Sequence, residues 1–330
     1  MRPRRDIAVA ALLGLLFPRV AAQDNLVILL DVSRNQLLDL DFPDPSALRG
    51  EDGRWYAFAT NNHGHKVQVA VADGDLGGKW SYLDLDALPD PGPWASGKDI
   101  WAPDVRRVDN GFVLYYSAPL KDNSRIHCVG VATSDTVVGP YSPATEPWAC
   151  PVDRGGAIDA SGFFDEGSGR RWVTYKTDGN ALGKGGSCNN GVEPIRPTPI
   201  MLQEVADDGV TKVGEAFQIL DRTAADGPLV EAPNIAMGPQ GSYILFYSSG
   251  CYDSPSYDLK YATARAVEGP YTRGGILLQT GDRGLTAPGG ATAVVESSGQ
   301  MLLHANCHGV RGRCMFLATW AVNGNNTIYS

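Results

Sequence analysis

The chain has 330 residues, 37 of them acidic and 28 basic, for a formal net charge of −9. Such a balance repels nucleic acid and anionic membranes, so neither is expected as a partner. With 39 Gly and 22 Pro separating short runs rich in Tyr, Val, Trp and Phe, and hardly any stretch of helical period, the chain reads as all-β.

In chain order, the first feature is a basic stretch with Arg2, Arg4 and Arg5, followed by the apolar run Ile7 to Phe17 and the small residues Val20-Ala21-Ala22. That is the order of a secretory signal peptide over residues 1–22, since a spanning helix needs about 20 apolar residues. Residues 23–330 are then expected to be the mature domain, secreted and extracellular. Four Arg and one Asp leave with the leader, and the net charge falls from −9 to −12.

Five copies of one unit follow. Each opens with a short segment holding an acid or a Pro-Gly, then a Gly turn, then an alternating aromatic and aliphatic strand. The openings are Asp44-Pro-Ser-Ala-Leu48, Trp101-Ala-Pro-Asp-Val105, Ile158-Asp-Ala-Ser-Gly162, Glu231-Ala-Pro-Asn-Ile235 and Ala287-Pro-Gly-Gly-Ala291. The strands begin at Gly53, Gly111, Gly169, Gly241 and Gly299. A third strand also recurs. Val129-Gly-Val-Ala-Thr-Ser134 and Leu259-Lys-Tyr-Ala-Thr-Ala264 each lead, at the same offset, into Gly-Pro-Tyr at 139–141 and 269–271. Steps of 60, 55, 72 and about 58 residues each suit one four-stranded sheet, and five such sheets predict a five-bladed β-propeller. A pair of β-sandwiches would leave the five copies unexplained.

Six cysteines in a chain bound for an oxidising compartment predict disulfides, and their spacing matches no zinc site. Of fifteen pairings, Cys128–Cys150, Cys188–Cys251 and Cys307–Cys314 are favoured, the last closing a short loop between strand-like runs. Asn325-Asn-Thr327 is a sequon.

Four openings carry an acid: Asp44, Asp104, Asp159 and Glu231. Placed on innermost strands, at like positions, they converge on the axis, and their repulsion lets one carboxyl stay protonated as a general acid. An inverting glycosidase needs that acid and a separate carboxylate to activate water. Taken singly, Asp44 before Pro is an ordinary turn residue; Asp159 and Glu231, amid apolar neighbours, are less expected on a solvated face.

These segments resemble glycoside hydrolase family 43, the arabinanase, α-L-arabinofuranosidase and β-xylosidase group, from Asp41 to about Trp320. The resemblance implies a general base at Asp44 in Phe42-Pro-Asp-Pro-Ser46. It implies a residue that tunes and orients the acid at Asp159 in Ala157-Ile-Asp-Ala160, and the general acid at Glu231 in Val230-Glu-Ala-Pro233. Trp101 of Trp101-Ala-Pro-Asp104 would wall the sugar site, with Asp104 structural. Gln300-Met-Leu-Leu-His-Ala305 is similar to the last-blade segment whose His helps to hold a hydrated calcium ion on the axis, which points to His304, with His308 as the rival. Arg313 would contact substrate. No organic cofactor is implied. The expected partner is a plant polysaccharide or oligosaccharide, and the expected state a monomer.

Two other readings fit these residues less well. A fructan-cleaving member of the same clan would carry Arg-Asp-Pro and Glu-Cys where this chain has Ile158-Asp-Ala160 and Glu231-Ala-Pro233. A non-catalytic carbohydrate-binding propeller would have no need of three converging carboxylates. Substrate, exo or endo action and the loops 61–66, 118–125 and 178–195 are not legible from the sequence.

Overall fold

Each repeat folds as a four-stranded antiparallel sheet, and five such sheets account for the strands of the computed structural model, which describes residues 27–297 and 299–322. The expected leader and the sequon lie outside the described residues.

The openings form the innermost strands, as the repeat predicts: Ser46–Arg49, Trp101–Val108, Ala157–Asp165, Val230–Met237 and Gly289–Ala293 in blades 1 to 5. Each contacts the next, and the fifth returns to the first, so the ring is closed around one axis. The second strands, Trp55–Ala59, Gly111–Leu120, Arg170–Thr177, Tyr243–Ser249 and Gln300–Asn306, lie one step outward and are almost wholly buried. Both faces of each sheet are covered by neighbouring blades, which explains their near-continuous apolar character. Among the described residues, five apolar clusters fill the five seams. Leu48 and Phe58 of blade 1, for example, pack with Val105 and Leu114 of blade 2. Outer strands such as Lys212–Leu220 and Thr272–Leu278 are largely solvent-facing.

Blade 5 holds a strand that the repeat did not reveal. Its outermost member is Ile28–Val32, from the start of the described chain, paired antiparallel with Arg313–Val322. The ring is therefore closed by hydrogen bonds between the two ends of the described chain, a long-range pairing with no local sequence signal.

All three favoured disulfides are present, and no free cysteine remains among the described residues. Cys188–Cys251 ties the long loop after the second strand of blade 3 to blade 4; Cys307–Cys314 closes the hairpin carrying Arg313. No helix among the described residues is long and apolar enough to cross a membrane.

Candidate active site

Every inner strand carries one extra residue near its start. In blade 2, Trp101 pairs with Ser117 and Asp104 with Tyr115, so three steps on one strand match two on the other. The same bulge separates Ile158 from Ser161, Glu231 from Asn234, and Gly289 from Thr292. In blade 1, Thr60 N–H bonds the Pro43 carbonyl and Ser46 pairs with Phe58. The residue opening each bulge has a left-handed backbone: Asp44, Ala102, Asp159, Ala232 and Gly290, with φ between 45° and 57°. A bulge re-aims a side chain, and left-handed non-glycine residues cost about 1–3 kcal/mol each and cluster at functional sites.

The bulges correct the expectation that the four acids occupy like positions. Asp44 and Asp159 are equivalent, both on the left-handed residue. Glu231 lies one residue earlier, level with Trp101 and Ile158. Asp104 lies two residues later, level with Ser46, Ser161 and Asn234, and is buried against the Arg106 guanidinium (2.7 Å) and the Gly162 amide (2.8 Å). Its carboxylate is thus engaged in an ion pair with Arg106 and is not among the residues of the cavity described below. In blade 5 the equivalent of Asp44 is Gly290, where an added Cβ would lie 2.6 Å from His304 Nδ1 and 3.0 Å from the Asp44 carboxylate.

Asp44, Asp159 and Glu231 meet in one cavity of about 690 Å³ whose walls come from all five blades. Trp101, Tyr252, Tyr257 and Arg313 line it as well. The two Asp carboxyls are held in opposite ways. Burial would raise Asp44, but Arg313 (Nη1 to Oδ1 3.4 Å), His304 and the Thr60 hydroxyl (donating at 2.6 Å) outweigh it and hold the group well below the usual carboxylate range. Asp159 is pushed up to about 8 by burial and by Glu231, against the pull of Lys176. Its Oδ2 accepts the Ala232 amide at 2.9 Å. Lys176 is fully buried, with Nζ 3.1 Å from Glu231 Oε2 and 3.0 Å from Asp178 Oδ1. The contact with Glu231 has hydrogen-bond geometry; the one with Asp178 is an ion pair without it.

Trp101 stacks on His127, with ring centroids 3.6 Å apart, and forms a flat wall of the cavity. Arg313 also lies over the Tyr252 ring. His304 is wholly buried, parallel to Tyr257 at 5.8 Å. Exposed His308 lies apart from it, its ring 5.6 Å from Phe316, and is not among the cavity residues.

The residues around His304 do not fit a cation. Burial and Arg313 push the ring below its ordinary pKa. With Nδ1 accepting the Asp44 amide at 3.0 Å, Nε2 carries the proton and has no lone pair to ligate. In the other tautomer Nδ1 donates to Asp44 Oδ1 at 3.2 Å, and the Nε2 lone pair faces the Arg313 guanidinium at 3.5 Å, where a cation would be repelled. Among the described residues, the one grouping of three candidate metal ligands is Cys188, Cys251 and Asp253, and its two cysteines are a disulfide.

Thr60, Ser117, Lys176 and Tyr257 were not identified from sequence as site residues. Thr60, Ser117, Lys176 and the companion Ser248 do share a visible signal: each follows the glycine of its repeat's turn by six or seven residues, and His304 follows Gly299 by five.

Comparison with known proteins agrees with this geometry. The chain is 26% identical over 275 residues to a probable arabinan endo-1,5-α-L-arabinosidase C of Aspergillus flavus, covering 82% of this chain and 77% of that one. It is 25% identical to a xylosidase/arabinosidase of Bacteroides ovatus, covering 83% and 89%. The match to the extracellular endo-α-(1→5)-L-arabinanase 2 of Bacillus subtilis, at 25% identity, spans 54% of this chain but 37% of that enzyme. Among solved structures, a thermostable family-43 glycoside hydrolase superposes with a TM-score of 0.69 at 24% identity, covering 86% of this chain and 93% of that one, which speaks for the fold. The family model for glycosyl hydrolases family 43 matches residues 33–324, and the chain belongs to that family.

Proposed function

We propose that this chain is an inverting hydrolase of α-L-arabinofuranosyl linkages in arabinan or arabinoxylan. The observation that carries the reading is the contrast between two carboxyls in one cavity. Asp44 is held ionised by Arg313 and Thr60, while Asp159 beside Glu231 retains a proton to about pH 8. Environments that drive neighbouring carboxyls apart are the mark of an acid and a base sharing a site.

In this reading Asp44 takes a proton from water as the water oxygen bonds the anomeric carbon. Glu231 gives its proton to the glycosidic oxygen as the old carbon–oxygen bond breaks, and configuration inverts. Asp159 accepts the Ala232 amide and so fixes the backbone beside Glu231. Trp101 offers a stacking face to the sugar, and guanidinium N–H groups of Arg313 not used on Asp44 bond its hydroxyls. The names of the Aspergillus and Bacteroides relatives support arabinofuranosyl specificity first and xylosyl second. The Bacillus relative is named extracellular, which supports reading residues 1–22 as a secretory leader.

The test is a screen on arabinan, arabinoxylan, xylo-oligosaccharides and matching nitrophenyl glycosides, with Glu231→Gln alongside. The wild type turns over an arabinofuranosyl substrate, and Glu231→Gln loses about 10²–10⁴-fold in kcat. A wild type that binds these sugars without cleaving them would support the carbohydrate-binding reading instead.

A further inference from the structure

The bulges are tied to one another by a repeated device. In four of the five seams, the amide of the left-handed residue donates to a side chain on, or just past, the preceding blade's second strand. Ala102 N–H bonds Thr60 Oγ1 (2.9 Å), Asp159 N–H bonds Ser117 Oγ (3.0 Å), Gly290 N–H bonds Ser248 Oγ (2.9 Å) and Asp44 N–H bonds His304 Nδ1 (3.0 Å). Each acceptor sits opposite the residue before its own blade's bulge, as Ser117 does opposite Trp101 and Ser248 opposite Glu231. The corresponding residue in blade 3, opposite Ile158, is Lys176.

A protonated lysine has no acceptor to offer. The Ala232 amide therefore turns to the Asp159 carboxylate, and the Lys176 ammonium, freed from the seam, reaches Glu231 in the next blade. One departure from the five-fold pattern thus accounts for two contacts inside the catalytic cavity. A buried lysine is costly to keep, and a Ser here would close the seam as it does twice elsewhere.

We propose that Lys176 is a positioning residue for Glu231: it holds Oε2, leaves Oε1 to meet the glycosidic oxygen, and its charge sets the pH range in which the site works. This rests on the hydrolase reading above. The other charged or titratable groups around Glu231 are Asp159, Asp178, Tyr257, Asp44, His304 and Arg313, and the same cavity wall carries Asp99, Arg125, His127, Tyr252 and Asp253. Among the described residues of that cavity, the other fixed positive charges are Arg125 and Arg313, and Arg313 lies against Asp44.

The experiment is the pH profile of kcat/KM for wild type, Lys176→Ser, Lys176→Arg and Asp178→Asn, on whichever nitrophenyl glycoside the wild type cleaves. A cation within hydrogen-bond reach lowers a carboxyl by about 1–3 units. Lys176→Ser should therefore move the basic limb up by at least about one pH unit, with a fall in kcat larger than any change in KM. Lys176→Arg keeps the charge and leaves the limb in place. Asp178→Asn removes the competing anion and moves the limb down, an opposite shift that is read even if Lys176→Ser does not fold. A basic limb unmoved in Lys176→Ser or Asp178→Asn overturns the proposal while leaving the hydrolase intact. An inactive wild type overturns the hydrolase reading itself, and this inference with it.

Discussion

Thr60→Val tests whether the seam also tunes the base. The Thr60 hydroxyl is buried; it donates to Asp44 Oδ2 at 2.6 Å and accepts the Ala102 amide at 2.9 Å. Valine keeps the shape and removes both bonds. The bond to a charged carboxylate is worth about 1.5–3 kcal/mol and exists in full only while Asp44 is ionised. At about 1.4 kcal/mol per unit, its loss raises the Asp44 pKa by about one to two units. The orphaned Ala102 amide costs about 1–3 kcal/mol more, so the variant should be about 2.5–6 kcal/mol less stable at neutral pH. The sign with pH follows from the depressed carboxyl. Stability gained from Asp44 is present above its unfolded pKa and lost as pH falls through the folded value, so the deficit shrinks in acid. The assays are denaturant unfolding at several pH values and the pH profile of kcat/KM, with Thr60→Ser as the variant that restores the hydroxyl. An acid limb that does not move, with the destabilisation intact, would refute the link between seam and base.

Asp159→Asn should raise Tm more at pH 9 than at pH 5. A carboxyl whose folded pKa is raised to about 8 contributes stability below its unfolded pKa that is lost as pH climbs through the folded value, and an amide is spared that loss. An equal effect at both pH values would contradict it. Removing Cys188–Cys251, 63 residues apart, should cost about 4 kcal/mol in denaturant unfolding, and Cys307–Cys314, seven apart, about 2.5 kcal/mol, on loop-closure entropy. The reverse ranking would count against that account. Because neither tautomer of His304 leaves Nε2 for a cation, dialysis against EDTA should leave kcat/KM and Tm unchanged; a loss reversed by calcium would overturn the argument.

Much of this was legible in the chain. The repeat places Asp44, Asp159 and Glu231 on inner strands because each opening is followed by a turn and a buried aromatic strand. The three favoured cysteine pairs are the ones that form, although the sequence alone leaves fifteen pairings open. What sequence periodicity conceals is register between strands. An inner-strand bulge is one residue in length, and it alone decides that Asp159 and Asp44 are equivalent while Glu231 and Asp104 are not. Lys176 reads as an ordinary polar strand end until Ser117 and Ser248 are seen to bond amides across the seams. The strand Ile28–Val32 is invisible for another reason: its partner, Arg313–Val322, lies at the other end of the chain.

The central claim is that Asp44 and Glu231 act from opposite sides of the sugar in a single displacement. The most direct measurement is proton NMR of the product within the first minutes of hydrolysis, before the anomers equilibrate. The account predicts that the fresh sugar appears with the anomeric configuration opposite to that of the substrate, and that Glu231→Gln suppresses its formation. Fresh product of retained configuration would contradict it.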